Sequence, residues 1–202
     1  NIIFKRNEKI IFQDLNLSLP PKKIIQITGR NGIGKTTLIK ILANIILPTQ
    51  GDIFWNGKNI YKNSENFLSN LTLIMDINTS KKDMTVNENI RFWMNIFQSS
   101  INNSEIDSLL EMLEIRDYKN TMVKHLSYGE IRKLEISRLI IENKKLWIFD
   151  EPYLGLDSST INTFNETLAN HIKNGGMAII ASHYNPEIQG IEIIHLEDYE
   201  NN

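Results

Sequence analysis

Cysteine is missing from this sequence of 202 residues. Disulfide bonds and thiolate metal sites are therefore excluded, and the composition suits a reducing compartment. Long apolar runs are missing too: the most apolar stretch, 38–47, is too short to span a membrane and carries Lys40 and Asn44. If the protein acts at a membrane, we expect a separate chain to supply the membrane-embedded part.

An excess of positive charge is also missing. The formal net charge is −2, so no basic field draws the chain to nucleic acid, and we expect no nucleic-acid partner. Repeats and low-complexity segments are absent from the sequence, which favours one compact domain over residues 1–202. No signal-peptide pattern is present, and a strand pattern begins directly after Asn1, so we expect a few residues to precede the sequence.

Hydrophobic periodicity predicts strands that alternate with helices. Strand patterns lie at 2–4, 10–19, 23–28, 53–55, 71–75, 146–149, 177–181 and 191–196, and helical patterns lie at 35–47, 85–141 and 158–173. We expect the last three strands to be buried in a parallel sheet. The alternation predicts an α/β fold with a core of about 1–76 and 141–202 and an inserted helical lobe of about 77–140.

A glycine-rich segment between a predicted strand and a predicted helix carries the strongest chemical signal. The segment consists of Gly29, Arg30, Asn31, Gly32, Ile33, Gly34, Lys35, Thr36 and Thr37. Its glycines let successive backbone N–H groups point at one anion, and the following helix N-terminus adds partial positive charge. We predict an ATP-binding phosphate loop in which Lys35 contacts the β- and γ-phosphates and the Thr36 hydroxyl binds Mg²⁺.

Two acids, Asp150 and Glu151, follow the apolar strand pattern 146–149. Acids in this position are also common in solvated turns. In a parallel sheet, however, the end of this strand lies at the same edge as the phosphate loop. We therefore predict that Asp150 holds the Mg²⁺ of bound ATP and that Glu151 polarises the attacking water as a general base.

A third motif, Leu-Ser-Tyr-Gly-Glu at 126–130, resembles the LSGGQ signature of ATP-binding cassette (ABC) proteins. Two shorter features agree with this resemblance. Leu156 and Asp157 look like the end of the D-loop, and His183 follows strand 177–181 as the switch histidine of the family does. With the phosphate loop and the two acids, these motifs occur in the family's order over essentially the whole chain.

The resemblance implies a P-loop NTPase with a RecA-like, mainly parallel core, an N-terminal antiparallel β subdomain and an inserted helical lobe. It implies Mg²⁺-dependent ATP hydrolysis, with Glu151 and His183 as catalytic residues. It also implies an ATP-dependent head-to-tail homodimer in which Ser127, Gly129 and Glu130 contact the ATP held by the other chain. Integral membrane subunits, as separate chains, are the implied partners.

The sequence departs from the family pattern at several of these positions. Tyr128 stands where the signature has its first Gly, and Glu130 stands where it has Gln. Asp76 occupies the expected place of the Q-loop glutamine, and we expect it to bind Mg²⁺ while repelling the γ-phosphate. The aromatic residue that stacks on adenine has no clear counterpart; Phe4 and Arg6 are the candidates.

Other chemistry-bearing residues have no such context. We expect His125, His171 and His195 to be structural. The aromatic pair 92–93 and Phe97 are typical of a helix core, although Phe92 or Ile96, on the opposite face, is a candidate contact for a membrane partner.

Within the family, segments 146–152 and 175–180 resemble the ATP-binding subunit of the cytochrome c maturation (haem exporter) system. That resemblance implies a peripheral protein on the cytoplasmic side of the inner membrane, or on the matrix side of the mitochondrial inner membrane. The ATPase of a drug, lipid or ion exporter, a soluble ABC protein and a nucleotide-binding regulator remain alternatives. A kinase is disfavoured because no lid for a hydroxyl substrate is visible.

Overall fold

Nine strands and six α-helices make up the computed structural model, which describes residues 1–186, 188 and 190–200. The strands are β1 (Ile2–Arg6), β2 (Lys9–Leu15), β3 (Ile24–Thr28), β4 (Phe54–Trp55), β5 (Lys58–Asn59), β6 (Leu71–Ile74), β7 (Leu146–Asp150), β8 (Met177–Ala181) and β9 (Ile191–His195). The α-helices are α1 (Lys35–Leu42), α2 (Ser64–Leu68), α3 (Val86–Phe97), α4 (Asn103–Met112), α5 (Tyr128–Glu142) and α6 (Ser158–Lys173).

The central sheet has the strand order β6-β7-β8-β3-β9. Every neighbouring pair in it is parallel. The carboxyl ends of all five strands therefore meet at one edge, where ligands bind in open α/β sheets. Two antiparallel pairs, β1-β2 and β4-β5, lie outside this sheet. The predicted α/β fold with a mainly parallel core and an N-terminal antiparallel part is confirmed.

Alternation along the strands divides the core between the two faces of the sheet. In β7, Leu146 and Ile148 belong to a cluster that includes α1, whereas Trp147 and Phe149 belong to a cluster on the other face. The second cluster contains apolar residues of α3, α4, α5 and α6. The helices between β6 and β7 thus share one hydrophobic core with the sheet.

Capping boxes explain where the helices between β6 and β7 begin. In each, the cap side chain accepts a hydrogen bond from the third helical N–H, and the glutamate at that position accepts one from the cap N–H. The pairs are Thr85 with Glu88, Asn102 with Glu105, and Ser127 with Glu130. Short 3₁₀ helices at Arg116–Tyr118 and Val123–His125 connect α4 to α5.

Three predicted elements differ from the structure. The helix predicted over 35–47 ends at Leu42, because Asn44 takes a left-handed conformation (φ 59°) and the Ile45 N–H donates to the Lys40 carbonyl at 2.8 Å. The strand predicted over 10–19 ends at Leu15, which lies opposite Ile2 at the start of β1. The prediction of a buried strand at 191–196 is wrong, because β9 is the sheet edge and is largely exposed.

Candidate functional site

The predicted phosphate loop lies between β3 and α1, at the carboxyl edge of the sheet. Gly32 and Gly34 have φ values of 81° and 120°, a region that side chains disfavour. A Cβ on Gly34 would also lie 2.7 Å from the Ile11 Cγ2 atom. The loop, together with Arg6, Lys40, Asp150 and Glu151, lines a cavity of about 370 Å³.

Lys35 is the buried cation of this cavity. Its Nζ donates to the Gly29 carbonyl at 2.7 Å and lies 2.8 Å from His183 Nε2. Because a lysine ammonium only donates, this contact makes His183 Nε2 an acceptor. The same ring nitrogen lies 2.8 Å from Asn31 Oδ1, and an acceptor there requires the Asn31 amide group to be turned. The structure thus brings three of the predicted residues together.

Two other residues of the loop face away from the cavity. The Arg30 guanidinium forms an ion pair with Glu200, and its backbone N–H donates to Glu197 Oε1 at 2.7 Å. Ile33 is buried in the core cluster that includes α1. Thr36 and Thr37 line the cavity, and the Thr37 hydroxyl accepts a hydrogen bond from Arg6 at 3.3 Å.

Asp150 is a buried carboxyl group at the end of β7. Burial raises its pKa, the hydrogen bond from Thr36 lowers it, and the negative charges of Glu151 and Asp76 raise it further. Its Oδ1 atom is buried without a hydrogen-bond partner among the described residues. A buried acceptor without a partner is costly, so this oxygen has an unmet need for a donor or a cation.

The arrangement fits a Mg²⁺ ion that arrives with a nucleotide. Within the described ranges, no three acidic or histidine side chains lie close enough together to hold a metal by themselves. Mg²⁺ is usually held by one or two carboxylates together with substrate phosphates. The orphaned Asp150 oxygen and the Thr36 hydroxyl beside it match that donor set.

Glu151 follows Asp150 in a left-handed conformation with φ 47°. This conformation is uncommon outside glycine and is found where the surrounding structure holds a residue in place. The Ser182 hydroxyl donates to Glu151 Oε2 at 3.3 Å, and His183 Nε2 lies 3.7 Å from Oε1. The ends of β7 and β8 therefore bring the predicted base and the predicted histidine together.

Sequence reasoning missed two buried residues that support this edge. Ser182 holds Glu151, as described above, and also accepts a hydrogen bond from the Tyr184 N–H. Gln26 is a polar residue within the apolar strand β3, and its amide donates to the Tyr184 carbonyl at 2.8 Å. A buried glutamine in an otherwise apolar strand is the signal that would have indicated a supporting role.

The signature residues lie at the start of α5. Ser127 is exposed and caps the helix, its Oγ accepting from the Glu130 N–H at 3.3 Å. Glu130 Oε2 accepts from the Ser127 N–H at 2.6 Å. These residues and Gly129 line an open cavity that also includes Lys133 and Asp157. The helix N-terminus therefore faces solvent, where it is accessible to an anion.

Lys133 ties α5 to the predicted D-loop. Its ammonium pairs with Asp157 at 2.9 Å and with Glu114 at 3.4 Å. The bond from Lys133, together with the bond from the Thr160 N–H, holds the pKa of Asp157 well below its usual range. Glu114 in turn accepts from Ser159 at 2.6 Å.

The two most unusual residues of the predicted site are in contact. The Tyr128 hydroxyl donates to Asp76 Oδ1 at 3.0 Å, which joins the signature to the loop after β6. Arg132, one helical turn further along α5, is fully buried and donates to the Met75 carbonyl at 2.6 Å. It also donates to the carbonyls of Asp150 and Glu151, at 3.1 and 2.8 Å. Neither contact could be predicted from the local sequence pattern.

The remaining candidates lie outside this cluster. Phe4 stacks on Phe12 with ring centroids 5.9 Å apart, so of the two adenine candidates only Arg6 lines the cavity. His171 stacks on Trp147, His195 pairs with Thr28, and His125 ends a 3₁₀ helix. Phe92 packs against the core, whereas Ile96 is exposed.

Known proteins with similar sequences include ABC proteins. A family model described as ABC transporter matches residues 12–154. The chain is 38% identical over 186 residues to the cytochrome c biogenesis ATP-binding export protein CcmA of Reclinomonas americana, covering 91% of this chain and 82% of that protein. It is 31% identical to the protein of the same name from Aliivibrio fischeri, over 96% of this chain and 94% of that one.

Solved structures show the same fold. A putative ABC transporter ATP-binding protein from Pyrococcus furiosus superposes with a TM-score of 0.85 at 22% identity, covering 99% of this chain and 96% of that one. A dimeric ATP-binding cassette in a post-hydrolysis state, bound to ADP and Pi, superposes with a TM-score of 0.82 at 21% identity, over 98% and 92% of the two chains. Among the described residues, none of the helices is both long and apolar enough to cross a membrane.

Proposed function

Since this chain belongs to the ABC transporter family, we propose that it is the subunit that binds and hydrolyses Mg²⁺-ATP for a transporter of cytochrome c biogenesis. The observation that carries the proposal is the orphaned Oδ1 atom of Asp150, buried beside Thr36 and Lys35 at the end of β7. A cation with bound phosphates satisfies that oxygen, and the phosphate loop supplies the donors that the phosphates need.

In this proposal, Lys35 and the backbone N–H groups of residues 31–37 bind the β- and γ-phosphates. Thr36 and Asp150 are the protein ligands of Mg²⁺, and Asp76, at the edge of that site, is the third candidate ligand. When bound, Mg²⁺ neutralises charge on the phosphate oxygens. Arg6 lines the cavity beside Thr37 and is the candidate contact for the adenine ring.

Glu151 takes the proton of the attacking water in the proposed hydrolysis. The Ser182 hydroxyl donates to one of its carboxylate oxygens at 3.3 Å, and the His183 ring lies 3.7 Å from the other, which limits the directions in which Glu151 can accept. His183 is close to Lys35 and Asn31, and we assign it to the γ-phosphate, whose oxygens accept from a ring N–H of His183 once the nucleotide is bound.

Two copies of the chain pair head to tail in this proposal. Ser127, Gly129 and Glu130 then approach the ATP that the other copy holds, with the N-terminus of α5 facing its γ-phosphate. The partners are separate integral membrane subunits, and the chain lies peripherally on the cytoplasmic side of the inner membrane or on the matrix side of the mitochondrial one. The CcmA proteins named above support the cytochrome c assignment.

Lys35→Ala tests the phosphate site directly. We expect the variant to lose affinity for a fluorescent ATP analogue by about 10²-fold, because a buried cation that pairs with phosphate is removed. Lys62→Ala removes an exposed lysine that does not line the cavity and is the matched control. Equal affinity in the two variants would contradict the assignment of the phosphate loop.

The cytochrome c assignment needs a second experiment. The tagged chain is purified from membranes of its own organism, and the proteins that accompany it are identified by mass spectrometry. We expect the membrane subunits of a cytochrome c biogenesis system. Recovery of the membrane subunits of a drug, lipid or ion exporter instead would replace that assignment while leaving the ATPase assignment in place.

A further inference from the structure

The hydrogen bond between Tyr128 and Asp76 joins two positions that both differ from the family pattern. Tyr128 occupies a glycine position of the signature, and its ring needs space that a neighbouring glycine provides. A Cβ on Gly155, where φ is 80°, would lie 2.6 Å from the Tyr128 ring. The Tyr128 ring fills the space beside Gly155, and its hydroxyl donates to Asp76 Oδ1 at 3.0 Å.

The contact does more than dock α5 onto the sheet, because Arg132 already does so. Arg132 is fully buried and donates to backbone carbonyls at the ends of β6 and β7. One of these carbonyls belongs to Met75, directly before Asp76. Tyr128 is 42% exposed, so its single hydrogen bond adds little stability by comparison. Its specific consequence is the position of the Asp76 carboxylate.

That position has an electrostatic consequence for the nucleotide site. Asp76 follows β6 and Asp150 ends the neighbouring parallel strand β7, and Arg132 donates to the carbonyls of both Met75 and Asp150, so the two carboxylates lie at the same edge of the sheet. An exposed aspartate without a partner samples several rotamers and spends part of its time pointing into solvent. A carboxylate held by a phenol stays near the Mg²⁺ ligand, where its charge opposes an incoming γ-phosphate unless a cation accompanies it.

We propose that Tyr128 is a positioning residue that holds Asp76 at the edge of the Mg²⁺-nucleotide site of its own chain. The signature therefore acts on the ATP of its own chain through Asp76, besides its proposed contact with the ATP of the other chain. Nucleotide binding then depends steeply on Mg²⁺, because the fixed charge of Asp76 disfavours ATP that arrives without the metal. This inference rests on the proposed function.

Tyr128→Phe removes the hydroxyl and keeps the ring. The measurement is the affinity of a fluorescent, non-hydrolysable ATP analogue with saturating Mg²⁺ and with chelator, and the ratio of the two affinities is compared. We expect the ratio to fall about three- to ten-fold in Tyr128→Phe, the scale of one unit charge moving away at a solvent-exposed site. Asp76→Gln, which removes the charge, should lower the ratio at least as much.

A double-mutant cycle separates positioning from packing. If Tyr128 acts through Asp76, adding Tyr128→Phe to Asp76→Gln changes the ratio no further. An equal effect of Tyr128→Phe in both backgrounds, or no effect in either, overturns the inference. Tyr61→Phe is the matched control, since the Tyr61 hydroxyl has no hydrogen-bond partner within the described part of the chain. Thermal unfolding midpoints confirm that each variant is folded.

Binding measurements on Lys35→Ala, combined with the double-mutant cycle, distinguish a failure of this inference from a failure of the proposed function. Binding that is insensitive to Lys35→Ala overturns the proposed function and the inference together. Binding that depends on Lys35, with additive effects of Tyr128→Phe and Asp76→Gln, overturns the inference alone.

Discussion

At the scale of single residues, Glu151 is held in place by both its backbone and its side chain. Its backbone is left-handed, its N–H donates to the Ala181 carbonyl at 2.8 Å, and its carboxylate accepts from Ser182. An acid that only ended a strand in a solvated turn would need none of these restraints. The restraints therefore favour a role for Glu151 that depends on direction, such as accepting a proton from one water.

Glu151→Gln keeps the shape and the hydrogen-bonding capacity of this residue but removes its basicity. We expect the rate of ATP hydrolysis to fall about 10²-fold or more, the usual scale for a general base, with ATP still bound. Steady-state phosphate release and equilibrium binding of a fluorescent ATP analogue measure the two effects. Glu166→Gln, on α6 outside the cavity, is the matched control. Unchanged turnover in Glu151→Gln would remove the residue from this role.

Residues that lie close together along the chain could be predicted from sequence, and residues that meet only in the fold could not. The phosphate loop is a local pattern between a strand and a helix, so its place was predictable. Tyr128 and Asp76 are 52 positions apart, and nothing near either residue signals the other. The same holds for Glu197, whose bond to the Arg30 N–H spans 167 positions.

At the scale of elements, α5 connects the predicted signature to the predicted catalytic strand. Its Arg132 reaches four backbone carbonyls, including those of Met75 at the end of β6 and of Asp150, Glu151 and Pro152 around the end of β7. No other side chain has the planar set of five donors that such a group of acceptors needs. Arg132 therefore ties the first half of α5 to the ends of β6 and β7.

Arg132→Met keeps an unbranched side chain but leaves four buried or part-buried carbonyl acceptors without their donor. We expect the free energy of unfolding to fall by about 3 kcal/mol, since each unsatisfied buried group costs about 1–3 kcal/mol and some regain water. Arg116→Met is the same substitution at an exposed ion pair and should change stability by less than about 1 kcal/mol. Urea unfolding followed by circular dichroism compares them, and similar losses would show that Arg132 does not hold the helix in place.

Element ends show why periodicity predicts where elements lie better than where they stop. Apolar residues continue beyond Leu42, but α1 ends there because Asn44 takes a left-handed backbone conformation. β9 has the apolar residues of a strand, and its place at the sheet edge follows from the strand order, which periodicity does not encode. Boundaries depend on backbone conformation and on partners, which only the fold supplies.

At the scale of the whole molecule, the phosphate loop and the signature residues line two separate cavities on one chain. The cavity at the phosphate loop is open and lined by residues of β1, the loop, α1 and the end of β7. The start of α5 faces a separate open cavity lined by Ser127, Gly129 and Asp157. In the head-to-tail pairing that we propose, the phosphate-loop cavity of each copy would face the start of α5 of the other copy.

Pairing that depends on bound ATP is the consequence to test. Glu151→Gln should accumulate the ATP-bound state, so the variant should shift from monomer to dimer when ATP and Mg²⁺ are added, because the nucleotide then supplies the charge that both cavities bind. Multi-angle light scattering at micromolar concentration measures the mass. The double variant Lys35→Ala/Glu151→Gln lacks the phosphate contact and should remain monomeric under the same conditions. A single-variant protein that stays monomeric at saturating ATP, both alone and with its membrane partner, would contradict the head-to-tail arrangement and leave Ser127 and Gly129 without their proposed ligand.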